Sequence, residues 1–206
     1  MKKIILYVVI IIAVLIGIFM LLMPKGAKYS DFAYLSAPRI ITKPSEKVIE
    51  VKVMGDPSTS VQPAMSLLLK TYFRLEGVKH GMDIPAPKSR WYTEFDKPRN
   101  TWEGEVAITI PGSVKSIPEI KDKSGLKIEL TTWEYGEVAE ILHVGSYGSE
   151  EADINKLKDF IDSQGYEISG PHEEEYLKGP LPFMPTNPDK YLTIIRYRVE
   201  KKEGGV

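Results

Sequence analysis

Residues 136–161 read GEVAEILHVGSYGSEEADINKLKDFI. Within them, 138–144 is a short, mostly apolar extended run that predicts a strand. Gly145-Ser-Tyr-Gly-Ser149 turns the chain. Ser149 can then cap a helix whose first turn carries Glu150 and Glu151, where the positive end of the helix dipole favours acidic groups. Ile154, Leu157, Phe160 and Ile161 recur at helical spacing, and Gly165 closes the segment. Downstream, 166–177 is extended apart from Gly170-Pro171, and 191–199 predicts a last strand. Upstream, 125–132 predicts a strand that meets 138–144 at the Tyr135-Gly136-Glu137 turn.

The same order occurs earlier in the chain. Residues 47–54 alternate, with Ile49, Val51 and Val53 on one side and Glu50 and Lys52 on the other. A helix follows, capped by Ser60, with Pro63 in its first turn and Met65, Leu68, Leu69, Tyr72 and Phe73 as its stripe. Strands are predicted over 90–95 and 102–110. Strand, helix, strand, strand therefore appears twice. The expected fold is α+β: two modules, about 46–112 and 125–202, with pseudo-twofold symmetry. They would form a largely antiparallel sheet with helices on one face.

Residues 4–23, IILYVVIIIAVLIGIFMLLM, carry no charge. Twenty helical residues span about 30 Å, the thickness of a bilayer core. This run is longer than the apolar part of a signal peptide and lacks a good cleavage site. It predicts a transmembrane helix, with the lipid bilayer as a partner. Lys2 and Lys3 precede it, so the domain is expected outside the cytoplasm. Residues 24–45 are read as a tether, and 46–202 as the domain.

Beyond Lys2 and Lys3 the chain has 25 basic and 28 acidic side chains, with no basic run longer than two. That balance argues against nucleic acid as a partner. There is no cysteine, so thiol chemistry is excluded. The three histidines, His80, His143 and His172, lack zinc spacing, and no metal or other cofactor is expected. No Gly-x-Ser-x-Gly elbow is present.

Aromatic and acidic side chains gather on or near the predicted strands. The candidate ligand-binding set is Tyr92, Glu94, Trp102, Glu105, Trp133, Tyr147, Glu174, Tyr176 and Tyr197. Aromatic walls around a desolvated carboxylate suit an organic cation. The structural alternative is that these rings are core and these carboxylates solvated.

The run from Gly136 to Tyr147, the helix with Leu157 and Phe160, Gly165-Tyr-Glu-Ile-Ser-Gly-Pro171, Glu175-Tyr-Leu-Lys-Gly-Pro180 and Thr193-Ile-Ile-Arg-Tyr-Arg-Val199 form a pattern. It resembles the GyrI-like small-molecule-binding domain, also called the AraC-type effector-binding domain. Trp102 to Pro111 looks like that family's closing strand of the first half. The resemblance implies two strand-helix-strand-strand modules with a ligand cleft between them, and a small organic ligand. It implies that Tyr147 and Tyr176 occupy family positions. Many drug-sensing members carry a carboxylate where this chain has Ile194, and a proline where it has Arg198. A cation-pairing group would have to come from elsewhere, with Glu94, Glu105 and Glu174 as candidates. Some stand-alone members are similar to hydrolases of electrophilic small molecules. Three readings follow: a membrane-anchored binding module for a small lipophilic or amphipathic molecule, a hydrolase using a Tyr and a Glu, and a non-catalytic interaction domain.

Overall fold

The structure, a computed structural model, describes residue 14 and residues 26–81, 84–180 and 186–203. The described residues of 27–79 and 85–203 form one compact unit, described below. Its elements are α1 (Tyr29–Phe32), β1 (Arg39–Lys43), β2 (Glu46–Met54), α2 (Pro57–Tyr72), β3 (Lys88–Trp91), β4 (Glu103–Thr109), β5 (Ile128–Trp133), β6 (Gly136–Val144), α3 (Glu151–Ser163), β7 (Tyr166–Lys178) and β8 (Leu192–Lys201). The fold is mixed α+β, built on one eight-stranded sheet in the order β1-β6-β8-β7-β3-β4-β2-β5. All its pairings are antiparallel.

The placement outside the cytoplasm behind a single-pass anchor is corrected. It rested on residues 4–23, which apart from Val14 lie outside the described residues. Among the described residues no helix is long and apolar enough to cross a membrane. Residues 29–43, read above as part of a tether, contribute α1, a 3-10 turn over Ala33–Leu35, and the edge strand β1. Leu35 is fully buried against Leu142, Leu192 and Ile194.

Helix α2 starts earlier than Ser60. Asp56 is its cap, accepting a 2.9 Å bond from the Ser58 amide, and Pro57 takes the first helical position, where a missing N–H costs nothing. Pro63 lies inside the helix rather than in its first turn. Similarly, α3 follows Glu150, and the Ser149 hydroxyl bonds the Ser146 carbonyl at 2.6 Å.

Alternation and register give the two faces of the sheet different chemistry. The α3 residues Ile154, Leu157 and Ile161 pack on Ala139, Ile141, Ile195, Tyr197 and Val199. Register carries this face along the row Ile195, Glu174, Ser89, Val106, Val51. Helix α2 lies on β2 and β4. The opposite face carries the row Arg196, Glu173, Arg90, Glu105, Lys52.

Candidate functional site

Strands β7 and β3 meet at the middle of the sheet, and β7 presents His172, Glu174 and Tyr176 to the helix-bearing face. Their polar atoms form a chain. The Tyr197 hydroxyl is 2.9 Å from Nδ1 of His172, and Nε2 of His172 is 2.9 Å from Oε1 of Glu174. The Tyr176 hydroxyl donates to Oε2 of Glu174 at 2.6 Å, and Ser89 Oγ lies 2.7 Å from that hydroxyl. Since Tyr176 gives its only proton to Glu174, Ser89 is the donor to Tyr176. An ionised carboxylate only accepts, so the Nε2 of His172 carries its proton.

The electrostatics follow from this geometry. Burial, the largest single influence on Glu174, opposes its ionisation. His172 and the Tyr176 hydroxyl outweigh it, and the carboxyl is held below the usual range. Burial and the Glu174 charge push Tyr176 well above a normal phenol, so it stays a neutral donor. Tyr197 is raised by the same two causes.

Tyr147 roofs one end. Its ring meets Tyr176 edge-on at 5.3 Å and Tyr191 at 5.2 Å, while nearly half of it stays exposed. Its hydroxyl runs so close to Gly179 that a Cβ there would collide with it. Burial raises the Tyr147 hydroxyl to about 12. Beside it, Glu150 is buried, and burial together with the Glu174 charge raises its carboxyl. His143 bonds Asp153 of α3 at 2.9 Å. Thr193 sits between His143 and Tyr176 on the flanking strands, fully buried, and its hydroxyl has no hydrogen-bond partner among the described residues. At the other end Phe95 packs on His172 at 4.6 Å and on Trp102 at 5.0 Å; Trp102 also packs on Trp91.

Of the nine residues expected from sequence, the fold gathers Tyr147, Glu174, Tyr176 and Tyr197 on this face, with Trp102 at its margin. Three others lie on the opposite face. There the Tyr92 hydroxyl donates to Glu105 at 2.9 Å, and the Trp133 indole donates to the buried Glu50 at 2.7 Å. Glu94 is on the surface beside Lys97. His172, Ser89, Glu150 and Thr193 were not in the expected set. The signal for His172 was present: it shares strand parity with Glu174 in His172-Glu-Glu-Glu-Tyr176.

No protein-family model matches the chain, and no curated protein matches it. Solved structures do. An uncharacterized conserved protein from Listeria innocua superposes with a TM-score of 0.68 at 23% identity, covering 84% of this chain and 97% of that one. A hydrolase from Listeria innocua gives 0.63 at 20% identity, covering 84% and 98%. The EcmrR C-terminal domain gives 0.57 at 14% identity, covering 80% and 98%. At these identities the likeness is one of fold, and the chain shares the fold of these three structures.

Proposed function

We propose that this chain is a small-molecule-binding module of the GyrI-like type, with its ligand seat on the helix-bearing face where β7 meets β3. The two-module reading supports this. Residues of about 46–112 supply β2-β4-β3 and 136–201 supply β6-β8-β7, the same spatial order, and β3–β7 pairing joins them, while β5 crosses over to pair with β2. The ligand would lie at that seam. Its class is a small lipophilic or amphipathic molecule, and a cationic one is favoured.

One observation carries the proposal: the Glu174 carboxylate, held ionised by the Tyr176 hydroxyl and by His172, which Tyr197 bonds in turn, with the half-exposed Tyr147 ring packed on Tyr176. A desolvated negative charge walled by aromatic faces attracts an organic cation by charge and by the ring quadrupoles. The test is a thermal-shift titration of the full chain with tetraphenylphosphonium and with neutral triphenylphosphine oxide. The cation should stabilise the protein more, and Glu174→Gln should erase that preference, a change of about tenfold in affinity. Equal stabilisation by both probes in the native chain would refute a cation seat.

A second reading, hydrolysis of a small electrophile, is favoured by the opposed behaviour of two carboxylates. Glu174 is held low while Glu150 is raised. In this reading Glu174, the ionised member, takes the proton from water, and Glu150, the raised one, supplies a proton to the leaving atom. Turnover of an epoxide or activated-ester panel, lost in Glu174→Gln and Tyr176→Phe, would support this reading. Binding without turnover in the native chain would reject it.

A further inference from the structure

The turn from β6 into α3 brings together three side chains that neither reading above uses. His143, near the end of β6, is buried, and its Nδ1 lies 2.9 Å from the Asp153 carboxylate in the first turn of α3. An ionised carboxylate only accepts, so Nδ1 carries a proton and the neutral ring offers Nε2 as an acceptor. That Nε2 lies 3.4 Å from the Ser149 hydroxyl oxygen and 3.4 Å from the Ser146 carbonyl. Ser149 is exposed, and its hydroxyl is not spent on capping α3. It donates to the Ser146 carbonyl at 2.6 Å and accepts from the Ser146 hydroxyl at 3.3 Å. Gly145 keeps the space beside both reactive atoms clear of a side chain. A Cβ there would stand 3.0 Å from Nε2 of His143 and 3.1 Å from Oγ of Ser149.

We infer that Ser149, His143 and Asp153 form a nucleophilic triad whose substrate is an activated carboxylic ester. Such triads recur on unrelated folds and are recognised by geometry and roles, so the lack of a Gly-x-Ser-x-Gly elbow is no bar. Asp153 fixes the tautomer, His143 is the base and Ser149 the nucleophile. A 3.4 Å separation is at the long end of a hydrogen bond, as such contacts often are before a substrate draws them together. Turning the O–H bond from the Ser146 carbonyl toward Nε2 aligns the pair without moving the oxygen. That oxygen bonds the acyl carbon as its proton passes to Nε2. The C–O bond to the leaving group then breaks, and the departing oxygen takes the proton. Water repeats both steps on the Ser149 ester, releasing the carboxylic acid and restoring the serine. The first-turn amides of α3 have no intrahelical acceptor, and the Arg99 guanidinium comes within 3.8 Å of where a Gly148 Cβ would stand. Both can offset charge on the acyl oxygen. Glu150 works against that charge, although its carboxyl is raised toward the neutral form. The inference is independent of the cation seat, because no step uses Glu174 or Tyr176.

The experiment is reaction of the full chain with p-nitrophenyl acetate, read by p-nitrophenolate release and by mass spectrometry of the digested chain. A burst of about one p-nitrophenolate per chain is expected, with the acetyl group on Ser149. Ser149→Ala, at an exposed position, should abolish the burst. His143→Gln should slow it by about a hundredfold, the size of a lost general base. Because His143 is buried, the same test is made at Asp153, whose side chain is 32% exposed. Asp153→Asn cannot hold the tautomer and should slow the burst by about tenfold or more at an unchanged melting temperature, while Asp153→Glu should restore most of the rate. No burst, acetylation of a tyrosine or lysine in place of Ser149, a burst that survives Ser149→Ala, or equal rates in the two Asp153 variants would overturn the inference.

Discussion

The two faces of the sheet bury their side chains with different materials. Beneath α3 the packing is aliphatic, with Ile141, Leu157 and Ile195 almost wholly removed from water. Hydrophobic burial stabilises such a face without directional demands. Across the sheet, between apolar clusters around Val138 and around Leu142, the middle is charged: Arg196 is buried among Glu140, Glu173 and Glu175, and the buried Lys88 pairs with Glu46. There each ion is tolerable only because a partner and further hydrogen bonds replace its hydration. On the apolar face the exception is the polar chain through His172, Glu174 and Tyr176. The proposed ligand seat falls where the helix-bearing face departs from its own pattern.

The sharpest way to break this comparison is Arg196→Met. It should destabilise the protein by about 3–5 kcal/mol in chemical denaturation, because three carboxylates lose their shared cation. A near-neutral result would mean the charged face is held by packing alone. Gly104→Ala tests the β3–β4 pairing beside the seam next. A Cβ there would meet Trp91 at 2.5 Å and the Arg90 carbonyl at 2.6 Å, so a loss of about 1–3 kcal/mol is expected.

Glu46 sharpens the comparison through pH. Burial works against its ionisation, but Lys43 and Lys88 hold its carboxyl down to about 2, from 4.5. A depressed carboxyl contributes stability above its unfolded value and loses it as pH falls through the folded one. Stability should therefore decline between about pH 4.5 and pH 2, and Glu46→Gln should flatten that decline. Its contribution at neutral pH is about 1–2 kcal/mol, reduced by partial solvation. The smallest effect belongs to Glu94→Gln. Its side chain is 80% exposed and 3.7 Å from Lys97, so melting temperature and cation binding should stay within error of the native chain. A loss of cation binding there would return Glu94 to the ligand set.

Much of this architecture was legible in local sequence. The alternation in 47–54 and the stripe Ile154, Leu157, Ile161 each have a period set by one element's own geometry. Strand β1 was not legible, because Arg39–Lys43 lies between Pro38 and Pro44 with no alternation, and pairs with β6 about a hundred residues away. The early start of α2 was missed because two cap-and-proline signals compete there. Asp56-Pro57 wins with a side-chain cap and a proline whose absent N–H has no partner to lose. For the site, composition offered one set of nine residues, and the sheet divides it by strand parity.

What the sequence determined by itself is the α+β class, the doubled order of elements and the aromatic and acidic residue types gathered on the strands. These depend on neighbours within a few positions. Only the tertiary structure decided that Glu174 faces Tyr176, Tyr197 and His172 while Glu173 faces Arg90 and Arg196. Successive side chains on a strand point to opposite faces, and which face meets the helices is fixed by pairing with distant strands. In the run His172-Glu-Glu-Glu-Tyr176, identical residues were therefore assigned to two different faces by register alone.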